Sequence, residues 1–326
     1  MSDTSSNQLK NCNTCKKRMN TQIERDAKTF LFKVLPDTPL EKTIMSFIHS
    51  AWETREYFPG PQPISIERKH FPILKNSYVV CEKTDGVRHV LVSLMFGDKK
   101  ICALVNRAFE MYVVSLNLPK SAYQGTILDG ELVERDFLVY DSVMVSGTNV
   151  KNLDLFKRLE EAKKVVSKIT RMKGDPVVPK MKTFFNLKDF KQFITEHIPT
   201  VTYNIDGLVF TPINEPVKTG THETMFKWKP KINNTIDFQC KWLDNKWGLY
   251  VIEKGRLVFE SELPPSKSPD WLTEDCIVEC QYMCDEYPRW WKPIGLRTDK
   301  RHPNNRRTFY RTLVNIKEDI QIEEFA

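Results

Sequence analysis

The sequence predicts an α+β protein, in which a larger domain of antiparallel strands and helices is followed by a small closed β-barrel. Strand-like runs over residues 77–96 and 101–145 are separated by turn residues, and apolar residues at helical spacing lie before and after them. After Pro230 the pattern changes to five short strands with turns between them. That second pattern is typical of an OB-fold.

Helices are expected where apolar residues recur at intervals of three or four. Leu40, Ile44 and Ile48 have this spacing within residues 39–52. Further helices are expected over residues 152–170 and 186–197, and helical character returns over residues 308–325. Strands are predicted, in chain order, at residues 77–82, 89–96, 101–105, 111–116, 126–128, 137–145, 207–211, 224–228, 235–242, 247–253, 256–260, 276–282 and 290–294.

These elements divide the chain into three predicted parts. Residues 1–36 form a polar N-terminal extension, and residues 37–235 form the α+β domain. Residues 236–311 form the OB-fold domain, with a cleft between it and the α+β domain. Residues 312–326 are expected to be a C-terminal helix that packs back on the α+β domain.

The composition allows a large core and a polyanionic partner. The chain has 326 residues, of which 40% are hydrophobic, and a formal net charge of +7. This mild basic excess is compatible with nucleic acid, and equally with a solvated basic surface that binds none. The first 20 residues are polar, without the apolar stretch of a secretory signal. We therefore expect a soluble, intracellular protein that binds no membrane.

The eight cysteines predict free thiols and no structural metal centre. Cys12 and Cys15 form an isolated pair in the polar extension, which supplies two of the four ligands that a structural zinc needs. Cys276, Cys280 and Cys284 recur at every fourth position, which places them on one face of a strand. Simple packing of that face explains their spacing.

Five short motifs carry the chemistry of the chain. Each is weak when taken singly, since Lys-x-Asp-Gly alone is usually a surface turn. Their order, with apolar runs before or around most of them, is hard to obtain by chance. The motifs are, in chain order, Lys83-Thr84-Asp85-Gly86, Asp129-Gly130-Glu131, Asp206-Gly207-Leu208-Val209, Lys227-Trp228-Lys229 and Arg297-Thr298-Asp299-Lys300. Together they predict an enzyme that joins a lysine covalently to a nucleotide.

The lysines of these motifs suit nucleophilic catalysis. A free lysine is protonated at neutral pH, and neighbouring cations make its proton easier to lose. Lys227 and Lys229 alternate on a predicted strand and therefore share one face. If that face lies beside Lys83, the pair depresses the pKa of Lys83 and binds a phosphate. Without the other motifs, Lys227 and Lys229 would be ordinary exposed strand residues.

Two carboxylates suit a metal-assisted phosphoryl or nucleotidyl transfer. Glu131 follows Gly130, which is predicted to be a turn residue at the end of a strand, so its carboxylate is expected at the rim of the cleft. Asp206 has a similar predicted position at a strand edge. A divalent cation that bridges phosphate oxygens prefers such hard oxygen ligands.

The five motifs in this order resemble those of the covalent nucleotidyltransferase superfamily, which comprises mRNA capping guanylyltransferases and ATP-dependent DNA and RNA ligases. From Pro61 to its end the chain is similar to the small stand-alone capping guanylyltransferases of large chlorella viruses, which implies a viral origin. The resemblance also implies a nucleotidyltransferase domain of ligase-type, ATP-grasp-like antiparallel sheets with helices. The features that favour capping enzymes over ligases are Arg88 two residues after the motif glycine, Thr235-Ile236-Asp237-Phe238 after the Lys-x-Lys, and Arg297-x-Asp299-Lys300.

The resemblance implies a role for each matching residue. Lys83 attacks the α-phosphate of GTP and becomes the lysyl–GMP phosphoramidate, and Asp206 stands where many members have glutamate. The other implied roles are nucleotide binding by Thr84, ribose binding by Arg88 and Glu131, guanine binding by Tyr140, Val209 and Lys182, phosphate binding by Arg107, Lys227 and Lys229, a grip on the β- and γ-phosphates by Arg297 and Lys300 with support from Asp237 and Asp299, and metal binding by Asp206 and Glu131.

The implied function is an mRNA guanylyltransferase that works in two steps. GTP and the enzyme, with Mg²⁺ or Mn²⁺, give enzyme–GMP and pyrophosphate, and the GMP then passes to a 5′-diphosphate RNA end to make GpppN. Further expected partners are a separate RNA triphosphatase and a cap methyltransferase. If the chain is viral, it acts in the host cytoplasm or nucleus or in the virion.

Three alternatives remain open at this point. An ATP-dependent polynucleotide ligase shares the lysine chemistry and differs in its nucleotide. An OB-fold RNA-binding protein with a degenerate transferase domain would lack one or more catalytic positions, whereas all of those named above are present. The chain could also be a fragment of a multifunctional capping protein.

Overall fold

The computed structural model describes residues 23–25, 31–55, 57–75, 77–172, 174–298 and 300–326. Most of the predicted N-terminal extension lies outside these residues, as do Cys12, Cys15 and Asp299. The described strands are, in chain order, β1 (Ile23–Arg25), β2 (Phe32–Val34), β3 (Gln62–Ser65), β4 (Tyr78–Thr84), β5 (Val87–Phe96), β6 (Lys99–Asn106), β7 (Met111–Val113), β8 (Thr126–Val133), β9 (Asp136–Val145), β10 (Thr148–Asn149), β11 (Val178–Met181), β12 (Phe185–Asn186), β13 (Ile205–Pro212), β14 (Thr221–Trp228), β15 (Thr235–Leu243), β16 (Lys246–Glu253), β17 (Arg256–Leu263), β18 (Ile277–Met283) and β19 (Trp290–Leu296).

Three longer helices accompany the strands: α1 (Pro39–Trp52), α2 (Leu155–Val166) and α3 (Arg306–Glu318). The α1 helix has the predicted bounds, with the Thr38 side chain accepting from the Glu41 amide at its start. The α2 helix is shorter than predicted at both ends, and it begins at Leu155 because the Asp154 side chain caps it by accepting from the Lys157 amide. The shorter helical turns are Arg68–His70, Phe71–Leu74, Lys120–Gln124, Leu187–Asp189, Phe190–Gln192, Phe193–His197, Ile198–Thr200, Lys231–Asn233, Pro265–Lys267 and Ile322–Phe325.

Two of the predicted helices are therefore divided. The helix predicted over residues 186–197 passes through 3₁₀, α and π geometry in succession between Leu187 and His197. The predicted C-terminal helix ends at Glu318, because Asp319 adopts the left-handed conformation. A separate turn, Ile322–Phe325, then follows. No helix among the described residues is long and apolar enough to cross a membrane.

The described chain divides into two compact units. The first contains the described parts of residues 1–61, together with residues 86–183 and 214–220. The second contains the described parts of residues 62–85, 184–213 and 221–326. The boundary at residue 86 falls between β4 and β5, so Lys83 belongs to the second unit and Arg88 to the first.

The first unit is one large sheet covered on both faces. Its strand order is β1-β2-β7-β6-β5-β8-β9-β10, with β11 parallel to β9. Strand β5 explains the two layers, because successive side chains alternate between faces. Val90 and Val92 pack with α1 residues such as Ile44, whereas Leu91 packs with α2 residues such as Ala162. Part of the predicted extension joins this sheet, since β2 pairs with β7.

The second unit contains two sheets. The order β12-β4-β13-β14-β3 describes one of them, and its core includes Phe210, Phe226 and the C-terminal Ile320. The other is an antiparallel sheet with the order β17-β16-β15-β18-β19. Phe238 of this sheet packs against Phe309 of α3 with ring centroids 5.9 Å apart. The predicted mixed α/β architecture with antiparallel sheets is therefore confirmed.

One local prediction is wrong. Gly130 is not a turn residue that ends a strand, because β8 runs through the whole Asp129-Gly130-Glu131 motif. A Cβ atom at Gly130 would lie 2.7 Å from both the Leu138 carbonyl and the Phe137 ring. The glycine is needed for the close approach of β8 and β9 rather than for a turn.

Candidate active site

Lys83 lies on the face of its sheet that is opposite the hydrophobic core. Lys83 pairs across the strands with Gly207 on β13. Two residues further along β13, Val209 pairs with Lys227 on β14. Cross-strand neighbours share a face, so Lys83, Val209 and Lys227 are brought to the same side. The alternate residues of these strands fill the core. On β14, Phe226 and Trp228 enter this core and leave Lys227 on the other face.

A β-bulge aims Asp206 at Lys83. Ile205 is opposite Thr84 and Gly207 is opposite Lys83, so Asp206 is the extra residue of β13. Its Oδ1 accepts a hydrogen bond from Lys83 Nζ at 2.8 Å, and its Oδ2 lies 2.6 Å from Lys229 Nζ. Burial alone would raise the pKa of Asp206, but the two ammonium groups outweigh it and lower the pKa below its usual value.

Gly207 allows the strands beneath this cluster to pair closely. Its φ is +157°, and a Cβ atom there would overlap the carbonyl oxygen of Trp228. Strands β13 and β14 pair at Leu208 opposite Trp228, which adjoins Lys229. A side chain at position 207 would therefore push β13, which carries Asp206, away from β14, which carries Lys227.

Lys227 is the second lysine on this face, and its pKa is lowered to about 8. Burial is the largest cause, repulsion from Lys229, Lys83 and Lys300 acts in the same direction, and Asp206 opposes it. Lys229 follows the last residue of β14, Trp228, and still lies close enough to Lys227 to lower its pKa. Three ammonium groups around one carboxylate leave an excess of positive charge, which suits a phosphate.

Asp237 gathers two cations of the last motif. It lies on β15 and is 4% exposed. Its Oδ1 accepts from Arg297 Nη1 at 2.9 Å, and its Oδ2 accepts from the Lys300 ammonium. Asn304 fixes the backbone on both sides, because its side chain accepts from the Asp237 amide and its own amide donates to the Asp237 carbonyl, each at 2.8 Å.

The first unit carries a second group of predicted site residues. Arg88 on β5 is opposite Glu131 on β8, so the structure brings these two together. Arg88 Nε and Nη2 donate to the two oxygens of Asp129 at 3.0 and 2.5 Å. Tyr140 Oη donates to Asp129 Oδ1 at 3.0 Å. Burial raises the pKa of Tyr140 well above its usual value, which keeps the hydroxyl protonated as a donor.

The remaining predicted residues are placed as follows. Thr84 is the buried last residue of β4. Lys182 is buried in the first unit, and its backbone amide donates to Val139 at 2.8 Å. Arg107 is exposed in the turn after β6. Asp299 lies outside the described residues.

Asp129 is not singled out from the sequence as a residue of the site. This residue was recognised only as the first letter of its motif, although it is 1% exposed and binds two predicted site residues. An acidic residue in the middle of an apolar strand is the signal that could have found it. Such a carboxylate is rarely buried unless it is paired.

Comparison with known proteins decides the family. The family model for "mRNA capping enzyme, catalytic domain" matches residues 18–231. The model for "mRNA capping enzyme, C-terminal domain" matches residues 215–326. The chain belongs to the mRNA capping enzyme family. The capping enzyme is thus a nucleotidyltransferase, and its predicted assignment as a guanylyltransferase is confirmed at the level of the family.

Named relatives of this capping enzyme are eukaryotic. The mRNA-capping enzyme subunit alpha of Schizosaccharomyces pombe is 29% identical over 318 residues, covering 82% of this chain and 78% of the relative. The mRNA-capping enzyme of Caenorhabditis elegans is 27% identical, covering 83% and 49%, respectively. That of Danio rerio is 28% identical, covering 78% and 46%. The chain therefore spans about half the length of the latter two relatives.

Two solved structures illustrate a distant similarity of fold. A chain titled "Pmar-Lig_Pre." has a TM-score of 0.41 and 13% identity, covering 79% of this capping enzyme and 72% of that chain. A mycobacterial DNA ligase D complexed with ATP and MES has a TM-score of 0.40 and 10% identity, covering 74% and 96%. These scores are too low to carry an argument about this protein.

Proposed function

We propose that this capping enzyme forms lysyl–GMP at Lys83 and then transfers the GMP to an RNA 5′-diphosphate end. In the first step a bond forms between Lys83 Nζ and the α-phosphorus of GTP. The bond from that phosphorus to the bridging oxygen breaks, and pyrophosphate leaves. The ammonium of Lys83 must lose its proton for this attack. In the second step a terminal oxygen of the RNA 5′-diphosphate displaces Lys83 and makes GpppN.

The lysine cluster supports the proposed first step. Lys227 lies on the same face as Lys83, and Lys229 is held beside it by Asp206. Both are proposed to bind the α-phosphate and to stabilise the charge that builds up on it during transfer. Asp206 keeps Lys83 Nζ in a defined position, which favours an in-line attack.

The first unit supplies the residues proposed to bind the nucleoside. Arg88 and Glu131, which are cross-strand neighbours, are proposed to bind the ribose. Tyr140 and Val209 are each proposed to contact the guanine. Thr84, Arg107 and Lys182 are proposed to complete the nucleotide site.

A divalent cation, Mg²⁺ or Mn²⁺, fits the carboxylates that are present. Mg²⁺ is usually held by one or two carboxylates together with substrate phosphates. Asp206 offers a half-buried carboxylate among lysines that would also hold a phosphate. Glu131 of the first unit is proposed separately as a ligand. When bound, the cation would neutralise charge on the phosphate oxygens.

The C-terminal sheet is proposed to be an OB-fold over residues 236–311, following a nucleotidyltransferase domain of residues 37–235 and 312–326. Asp237 holds Arg297 and Lys300 side by side, which supports their proposed grip on the β- and γ-phosphates, with Asp299 as a further support. Opening of this domain would release pyrophosphate and admit RNA.

One observation carries the proposal: Lys83 shares the Asp206 carboxylate with Lys229 and shares its face with Lys227. The test incubates the protein with a divalent cation and either GTP or ATP labelled in the α-phosphate, followed by a denaturing gel. We expect acid-labile label from GTP alone, and none from either nucleotide in Lys83→Ala.

A matched control keeps this test specific. Lys180 is also an ion-paired strand lysine, 2.6 Å from Asp136, and Lys180→Ala should label like the wild type. Label from ATP alone would instead favour a polynucleotide ligase. No label from either nucleotide would favour an RNA-binding protein without transferase activity.

Several finer proposals rest on the resemblance alone. A viral origin, action in the host cell or virion, and separate triphosphatase and methyltransferase partners remain predictions. The second step is tested by supplying labelled enzyme–GMP with RNA that ends in a 5′-diphosphate or a 5′-monophosphate. Transfer to the diphosphate end only is the expected result.

A further inference from the structure

We propose that Asp129 is a positioning residue of this enzyme, which holds the ribose-binding Arg88 and the guanine-binding Tyr140 in one hydrogen-bonded group. The inference rests on the proposed roles of Arg88 and Tyr140. Asp129 itself is buried and touches no substrate in this proposal. It would act on nucleotide affinity and selectivity through the two side chains that it binds.

The contacts of Asp129 use both of its oxygens. Oδ2 accepts from Arg88 Nη2 at 2.5 Å, while Oδ1 accepts from Arg88 Nε at 3.0 Å and from Tyr140 Oη at 3.0 Å. A two-point pair between arginine and a carboxylate fixes the plane of the guanidinium. The shared Oδ1 therefore links the orientation of the guanidinium to that of the Tyr140 ring.

The guanidinium is enclosed on its other sides as well. Arg88 Nη1 donates to the Pro61 carbonyl at 2.5 Å, and its Cζ lies 5.5 Å from the Phe58 ring and 5.9 Å from the Tyr140 ring. A Cβ atom at Gly60 would collide with the Arg88 guanidinium. Since the Arg88 side chain is only 15% exposed, one limited edge of it is offered to a ligand.

The number of N–H groups on the Arg88 guanidinium agrees with one edge being left for a ligand. A guanidinium has five N–H groups. Three of them are donated to Asp129 and to the Pro61 carbonyl. Counting partners among the described residues, two N–H groups remain, one on each terminal nitrogen, and these are the ones that could reach a ribose hydroxyl. Their directions depend on the plane that Asp129 sets.

A bulge in β9 places Tyr140 within reach. Asp129 is opposite Asp141 and Gly130 is opposite Val139, so Tyr140 is the extra residue on β9. In a regularly paired strand, the side chain of Tyr140 would point to the face of the sheet opposite that of its neighbour Asp141. The bulge thus makes the Tyr140–Asp129 contact possible.

The cross-strand neighbour of Asp129 provides a matched control. Asp141 is also buried and also makes a two-point pair, accepting from Arg158 Nε at 2.7 Å and from Arg158 Nη2 at 3.0 Å. Arg158 binds the Leu153 and Glu215 carbonyls with its remaining terminal nitrogen. Neither member of this pair is a proposed nucleotide-binding residue. If both pairs were purely structural, removing the charge of either aspartate should change nucleotide binding to the same extent.

The experiment compares Asp129→Asn, Tyr140→Phe and Asp141→Asn with the wild type. It measures KM and kcat for enzyme–GMP formation, and the ratio of kcat/KM for GTP to that for 2′-deoxy- and 3′-deoxy-GTP. We expect Asp129→Asn to raise KM for GTP by about tenfold or more and to lower the deoxy-nucleotide ratio at least severalfold. Tyr140→Phe, which deletes one hydrogen bond, should raise KM by about two- to tenfold.

Asp141→Asn should lower the melting temperature about as much as Asp129→Asn and leave both KM and the deoxy-nucleotide ratio unchanged. Equal effects of the two Asp→Asn changes on KM and the ratio would overturn the proposal. If Asp129→Asn does not fold, Tyr140→Phe decides, and a wild-type KM in that variant would overturn the link between the two side chains.

Failure of the proposed function is distinguishable from failure of this inference. Equilibrium binding of GTP and of ATP is measured for the same variants, so Asp129 is tested with whichever nucleotide the wild type binds. Absence of covalent label in the wild type contradicts the proposed reaction. Unchanged nucleotide affinity in Asp129→Asn contradicts the positioning role only.

Discussion

The Lys83 ammonium donates a hydrogen bond to Asp206 Oδ1 at 2.8 Å, while Lys229 lies 2.6 Å from Oδ2 of the same carboxylate. Asp206 therefore fixes the position of the proposed nucleophile Nζ and holds Lys229 beside it. The predictions below follow from this cluster and from its supports.

Replacing Asp206 by asparagine should slow formation of enzyme–GMP by about 100-fold or more, the scale found when one preorganised electrostatic contact is removed. The change removes the charge that holds Lys83 and Lys229 together. It is measured as the initial rate of labelling from α-labelled GTP. Asp136→Asn, which removes the partner of Lys180, is the control and should keep the wild-type rate. A rate for Asp206→Asn within threefold of the wild type would contradict the prediction.

Asp206 should also make the free energy of unfolding depend on pH in the acid range. Its pKa in the fold is lowered from 3.8, so its ionised form stabilises the protein above about pH 4. That contribution is lost as the pH falls through the lowered pKa. Urea unfolding should show the stability advantage of the wild type over Asp206→Asn shrinking as the pH is lowered from about 5 to about 3. An advantage that is constant over this range would argue against the ion pairs.

Lys227 should take up a proton when GTP binds near pH 8. Its pKa is lowered to about 8, so about half of the lysine is neutral at that pH. A phosphate placed beside it favours the charged form and raises the pKa. Calorimetry in buffers of different ionisation enthalpy should report uptake of up to about half a proton at pH 8 and less at pH 6.5.

The variants that test this uptake are Lys227→Met and Lys241→Met. The first removes the titrating group, so the uptake should disappear. The second removes an ion-paired lysine of the C-terminal sheet, 2.9 Å from Asp275, and should leave the uptake unchanged. Persistent uptake in Lys227→Met would assign the proton to another group.

Gly207→Ala should destabilise the protein by more than about 3 kcal/mol and abolish labelling, because the new Cβ atom would overlap the Trp228 carbonyl. The comparison is Gly295→Ala in β19, where a Cβ atom meets nothing within 4 Å. That variant should lie within about 1 kcal/mol of the wild type. Thermal unfolding measures both changes. Equal melting temperatures would show that β13 and β14 can separate without cost.

The C-terminal residues should stabilise the lysine strand mainly through packing. The Phe325 ring lies 4.7 Å from that of Phe210 and 6.0 Å from that of Trp228, whose Nε1 donates to the Ile320 carbonyl at 2.8 Å. Phe325→Ala should therefore cost about 2 kcal/mol or more. Glu324→Gln weakens a partly exposed pair with Arg68 and should destabilise the protein less than Phe325→Ala does. Denaturant unfolding of the two variants would reject this ranking if the order were reversed.

Most of the fold and the lysine part of the site could be predicted from the sequence. Around Lys227 the pattern alternates, since Phe226 and Trp228 enter the core and leave Lys227 on the other face. The β4 residues before Lys83 are all buried, so the face of Lys83 follows from strand pairing instead. Helix α1 was predicted with its observed bounds, because its apolar spacing and its Thr38 cap agree.

Other features could not be predicted, because they depend on neighbours that are distant in sequence. The glycine of the Asp129-Gly130-Glu131 motif has the composition of a turn, yet it permits close approach of β9 within a continuous strand. The helix predicted over residues 186–197 is divided among three helical geometries, and the apolar pattern alone does not distinguish them.

The sequence alone determined the family motifs, the class of fold and the identity of the proposed nucleophile, because these depend on residue type, order and local periodicity. Only the tertiary structure decided where two key side chains point. Asp206 and Tyr140 are each the extra residue of a β-bulge, and the register of two paired strands creates such a bulge. A single strand's sequence does not contain its partner's register. The contacts of Asp206 with Lys83 and of Tyr140 with Asp129 therefore appear only once the strands have paired.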